Sequence, residues 1–176
     1  MANLTVEGYP KGLLGFPTFF TFVRTDRASL HAVMLMAVLH YQNVNGVKSH
    51  NIDLLQLRGW AISEINSAIE NRARAISDQL ITAVAMIAAY ESISRDKKAY
   101  QTHMTGLRNM VTLRGGLQSL GLDGLLESIL LWVASNAAHF AGSGVYFDKK
   151  DFPASSKHPK PNPKRFAGVS PRASAS

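Results

Sequence analysis

The six histidines are the first residues whose chemistry would matter, because imidazole is the commonest metal ligand and the side chain that titrates near neutrality. His31, His40, His50, His103, His139 and His158 never stand three or four residues apart, and no His-Glu-x-x-His arrangement occurs. One helix face therefore cannot present two of them to an ion. His31 and His40, nine apart, fall on different faces of one helix. His103, beside Met104, reads as a partly buried histidine hydrogen-bonded to a neighbouring group. The chain has no cysteine, which removes disulfides, thiolate zinc sites and cysteine nucleophiles together.

The carboxylates are sparse and form no acid–base dyad. Glu91 continues an apolar helix after Tyr90 and suits a structural ion pair with Arg108 or Arg114. Arg114-Gly115-Gly116 follows a helix and has no Gly-Lys-Ser/Thr behind it, so it is no phosphate loop. Gly142-Ser143-Gly144 is too short for a nucleophile elbow. Trp60 and Trp132, with the Met34/Met36 and Met104/Met110 pairs, could line a pocket between helices, but at helical spacing such residues more often fill a core. No catalytic, metal-binding or cofactor-binding residue is assigned, and no cofactor is expected.

The elements that would position these groups are helices. With 176 residues, 46% hydrophobic and 18% charged, the chain fits one globular domain plus a tail. From Asp26, Leu30, Val33, Met34, Ala37, Val38 and Tyr41 follow helical spacing, and Leu35, Met36 and Leu39 make that helix apolar nearly all round and central in the core. Asn43-Val44-Asn45-Gly46 ends it. A second helix spans about 52–73 with Leu55, Ile62, Ile65 and Ile69 as its stripe. Ser77-Asp78 caps a third, buried helix running from Gln79 to about Ser94. The fourth opens at Asp96, carries Tyr100, Met104, Leu107, Met110 and Val111 inward, and stops at Arg114-Gly115-Gly116. A fifth follows Asp123 with Leu126, Ile129, Leu130, Val133 and Ala137 inward. With no alternating strand pattern, the expected fold is all-α, an antiparallel array or bundle of about five helices.

Three segments follow: an N-terminal packing segment over 1–25, the helical domain over 26–141, and a Pro/Lys/Ser-rich, basic, disordered tail over 142–176. The N-terminal apolar stretch around Gly12 to Val23 has Glu7 before it, Pro17 within it and no basic n-region, so it is read as packing rather than a signal peptide. Apolar runs such as 32–39 and 80–90 are too short to span a bilayer. Of the net charge of +7, seven basic side chains against Asp151 put +6 on residues 149–176. The folded part is nearly neutral. Lys157, Lys160, Lys164 and Arg165 could contact phosphates or serve as a nuclear-import signal, but interleaved prolines and the absence of an aromatic platform argue against sequence-specific nucleic-acid readout.

The run His103-Met104-Thr105-Gly106-Leu107-Arg108-Asn109-Met110-Val111-Thr112-Leu113-Arg114-Gly115-Gly116-Leu117, ending Leu120-Gly121, resembles a recurrent pattern of the fungal-specific transcription factor domain. The alanine-rich helix ending Tyr90-Glu91 resembles the family as well, and the resemblance spans roughly 30–138. The family implies an all-helical regulatory region, ordinarily preceded by a six-cysteine zinc cluster that binds DNA. That cluster has no counterpart in a cysteine-free chain. A further departure follows Trp132, where relatives often show an aspartate and this chain has Ser135 and Asn136. The motif residues His103, Gly106, Leu107, Met110, Val111, Arg114, Gly115, Gly116 and Leu117 have structural readings: close helix approach at Gly106, dipole pairing at Arg114 and a C-terminal cap at the two glycines.

The resemblance implies a non-enzymatic regulatory or protein-interaction domain, acting in the nucleus through a protein partner or self-association, with no sequence-specific DNA binding of its own and no membrane. The alternative is a small helical ligand-binding protein or enzyme using an inter-helix pocket near Trp60 or Trp132.

Overall fold

Several of the helices begin and end where a capping group stops the ladder. The computed structural model describes residues 15–46, 54–147 and 159–169. Among these lie α1 (Gly15–Val23), α2 (Arg27–Asn45), α3 (Leu54–Glu70), α4 (Asp78–Ser94), α5 (Lys97–Arg114), α6 (Leu125–Ala141) and the short α7 (Pro163–Ala167), with a 3₁₀ turn at Leu117–Ser119. The Asp26 carboxylate accepts from the Ala28 and Ser29 amides at 2.9 and 3.2 Å, satisfying first-turn donors of α2. Ser77 does the same for α4 through the Leu80 amide, and Asp96 for α5 through that of Ala99. At the other ends, Gly46 and Gly115 take up left-handed conformations, φ 64° and 105°.

From α2 to α5, each helix runs antiparallel to the one before it. Arg27 meets Glu64 while His31 stacks near Trp60, pairing the start of α2 with the end of α3. Arg58 meets Glu91, joining the start of α3 to the end of α4. Asp78 meets Arg114, joining the start of α4 to the end of α5. The all-α expectation holds, with two short helices added to the five that periodicity predicts.

The central element is α4 rather than α2. Residues 80–92 of α4 are buried without interruption, and α4 packs against α2, α3, α5 and α6. Burying Leu80, Ile81, Val84 and Ile87 contributes about 1.5–3 kcal/mol each relative to exposure. By contrast, α2 buries Ala28, Ser29, Ala32 and Leu35, while Met34 and Tyr41, two members of its predicted stripe, are exposed. The predicted stripe of α3 is also rotated. Leu57, Ala61, Ile65 and Ala68 face inward, whereas Leu55 is 70% and Ile69 49% exposed. The physical reason is size: interaxial distance follows the side chains at the contact, and alanines on α2, α3 and α4 fill the seams where these helices approach. Reading stripes from the bulkiest residues selects the wrong face.

The C-terminal region also departs from expectation where it is described. Phe147 is buried, and α7 packs on α2 and α6 with Phe166 and Ala167 buried. Proline does not prevent this, because Pro163 occupies the first helical turn, where the missing N–H costs nothing. Residues 148–158 and 170–176 of the expected tail lie outside the described residues, as do 1–14 of the N-terminal segment. Within that segment Val23 is fully buried and Phe19 and Phe22 pack on the core. No helix among the described residues is long and apolar enough to cross a membrane.

Candidate functional site

The motif helix α5 lays Tyr100, Met104, Leu107, Met110 and Val111 onto α4, all buried as their spacing predicts. Beyond its end the chain reverses through Gly115 and Gly116, φ 105° and 95°, a conformation that a Cβ disfavours. Leu117 and Leu120 then drop into the core.

This reversal is fastened by Asp78. Its Oδ1 accepts from Arg114 Nη2 and Nε at 3.2 and 3.3 Å, and its Oδ2 accepts from the Gly121 amide at 3.0 Å. A Cβ at Gly121 would stand 2.6 Å from Asp78 Oδ2, so that residue must be glycine for the clamp to close. The carboxylate sits in the first turn of α4 and the guanidinium in the last turn of α5, each complementing its helix dipole. Arg114 lies in the last turn of α5, and its partner is Asp78, which sequence reading took only as part of a cap. Gly106 does not behave as expected: among the described residues a Cβ there meets nothing within 4 Å, so close helix approach is not its reason.

A second cluster joins α3, α4 and α5. Glu91, 2% exposed, accepts from Arg58 Nε at 2.6 Å. Its partner is Arg58, neither Arg108 nor Arg114, because Arg58 enters from a helix that sequence alone gave no reason to align with α4. Burial raises the Glu91 pKa above its usual value, and the Arg58 hydrogen bond and charge oppose that rise. His103, half-buried on α5, has its pKa lowered by burial and then by the positive charge of Arg58, with Asp96 opposing. No hydrogen bond to His103 is present among the described residues, contrary to the sequence reading of a bonded imidazole. The Arg58–Glu91 pair braces α3 against α4.

A pocket of about 270 Å³ opens at the other end of α5, lined by Arg108, Val111, Thr112, Gly115–Gln118 and Phe147. It holds none of Arg58, Glu91 and His103, and it lies at neither Trp60 nor Trp132. Trp60 is 49% exposed beside His31, and Trp132 packs edge-on against Phe166. Among the described residues no three His, Asp or Glu side chains stand together as metal ligands would.

A family model described as the fungal specific transcription factor domain matches residues 16–162. The chain belongs to that family. No curated protein and no solved structure matches it. The match extends past both ends of the stretch that the motif resemblance covers, taking in nearly all of α1 and the approach to α7. Of the candidate tail residues, Lys160, Lys164 and Arg165 are exposed on the docked segment, and Lys157 lies outside the described residues.

Two residues that sequence reading passed over hold that segment. Asn136, fully buried on α6, donates through Nδ2 to the Trp132 carbonyl at 2.8 Å and accepts the Asn162 amide at 2.8 Å. Asn43 on α2 donates to the Ala167 carbonyl at 2.7 Å. Nothing local in the sequence marks either asparagine as a contact for a segment that returns from far along the chain.

Proposed function

We propose that the chain is a non-enzymatic regulatory domain that works in the nucleus through protein contact, with no zinc cluster of its own to bind DNA. Family membership supports the regulatory half of this reading. The contact half rests on the outer seam of α2 and α3. His31, Met34 and Tyr41 share one face of α2, and Trp60 reaches across from α3 to within 6.0 Å of His31, ring to ring. Met34, Trp60 and Tyr41 are 43%, 49% and 62% exposed. Tryptophan, tyrosine and methionine are the types enriched where partners bury surface. Size-exclusion chromatography with light scattering tests the self-association form: mass should rise with concentration, and Trp60→Ser should abolish the rise. A monomer across a wide concentration range rejects that form.

The pocket at the end of α5 favours a second reading, a ligand-binding domain, because Arg108 gives it a cation and no acidic residue lines it. A small anion that raises the melting temperature of the wild-type chain but not of Arg108→Ala would support it.

A further inference from the structure

The contacts of residues 159–169 have the character of peptide recognition. Asn162 caps α7, its Oδ1 accepting from the Arg165 amide at 3.1 Å, while its own amide is read by the buried Asn136. Pro163 sets the first helical turn. Phe166 inserts edge-on to Trp132, ring centroids 5.2 Å apart, and stands 6.0 Å from Phe140, and it is almost fully buried. Gly168, φ 76°, lies so close to α2 that a Cβ would stand 2.9 Å from both the His40 carbonyl and Val44 Cγ2. Asn43 reads the Ala167 carbonyl. Backbone hydrogen bonds, one aromatic anchor and one position closed to any side chain together define a sequence requirement, in the way that grooves select short motifs.

We infer that the α2–α6 groove is a peptide-recognition site for the pattern Asn-Pro-x-x-Phe-x-Gly, and that residues 162–168 fill it as an internal competitor of a partner segment bearing that pattern. This deepens the protein-contact reading by naming the chemistry of the partner: a proline-initiated helical turn with phenylalanine four residues after a capping asparagine and glycine two further on. In the sequence, eleven residues, 148–158, join the internal copy to the rest of the chain. A short tether holds its ligand at roughly millimolar effective concentration, so the internal copy yields only to a partner that binds better or arrives joined to a second contact.

The test uses a fluorescently labelled peptide of residues 159–169, titrated by anisotropy onto the full chain carrying Phe166→Ala, with folding followed by helical circular dichroism. Binding should be saturable and at least about tenfold tighter than to the unsubstituted chain, whose groove is already filled. Asn136→Ala added to the chain, or Gly168→Ala placed in the peptide, should each remove it. If Phe166→Ala does not fold, Gly168→Ala in the chain empties the groove while keeping the aromatic side chains. Equal binding to filled and emptied chains, or none to a folded, emptied chain, overturns the inference. Among the described residues, the hydrogen bonds and ring contacts that hold residues 162–168 do not involve Trp60. A Trp60→Ser result against self-association therefore leaves this binding intact, and the two readings fail separately.

Discussion

Arg58→Met removes the one cation bonded to Glu91 among the described residues while keeping most of the aliphatic volume of the side chain. Glu91 is 2% exposed and would be left as a buried carboxylate without its partner. Breaking a buried pair from one side costs about 3–5 kcal/mol, and the 30% exposure of Arg58 leaves some access for water, so about 2–3 kcal/mol is expected near pH 7.5. The pH dependence follows from Glu91. Burial raises its folded pKa above the ordinary 4.5, so its contribution to stability is fully present below about pH 4.5 and is lost as pH rises through the folded value. Arg58 holds that value down, so its removal raises it further, and the deficit should shrink towards zero in acid and reach full size at neutral pH. Urea unfolding of wild type, Arg58→Met, Glu91→Gln and the double variant at several pH values reads both magnitude and slope. The double variant should recover most of the loss. His103 supplies a second readout: with Arg58 gone its imidazole should titrate closer to 6.5, from below. A deficit that does not change with pH, or a His103 titration that does not move, refutes the assignment of this cluster.

Two glycines of the motif region should respond oppositely to alanine. Gly106→Ala meets open space in a helix interior and should stabilise by about 0.5–1 kcal/mol, whereas Gly121→Ala drives a methyl into Asp78 Oδ2 and should destabilise by about 1–2 kcal/mol, both measured as urea midpoints. Asn136→Asp keeps shape but loses the donor to the Trp132 carbonyl and buries a charge with no cation bonded to it. It should cost roughly 3 kcal/mol at neutral pH and make residues 159–169 more readily cut in limited proteolysis than in the unsubstituted chain.

The helices and their ends were legible in the sequence because capping is local. Asp26, Ser77 and Asp96 accept from amides two or three residues away, and Gly46 and Gly115 close helices by their own conformation. Facing was legible where large residues do the packing, as along Tyr100 to Val111. It failed on α2 and α3, because alanine at a seam marks where helices come closest, while Met34, Leu55 and Tyr41 look like core by size alone. Partners were the least legible. Glu91 had several candidate cations at comparable plausibility, and choosing Arg58 required the antiparallel alignment of α3 on α4, which is a property of the folded array. Asp78 was read only as a cap, since nothing near it in sequence announces Arg114 or Gly121.

The motif and the tail sit at different ends of the same problem, which is how a helical array is finished. At the α4–α5 end, one carboxylate satisfies an arginine and a returning amide, so the turn is closed by groups that have no other use. At the α2–α6 end, the array is closed by a separate segment, brought back from beyond residue 158 and held by Asn136, Asn43 and an inserted phenylalanine. A clamp within contiguous structure can open only by unfolding its helices. A docked segment can leave while the rest of the array stays folded, because the groove side chains belong to α2 and α6 and are held by their own helices. Of the two closures, the one at the α2–α6 end is therefore the one that can be released without unfolding the array.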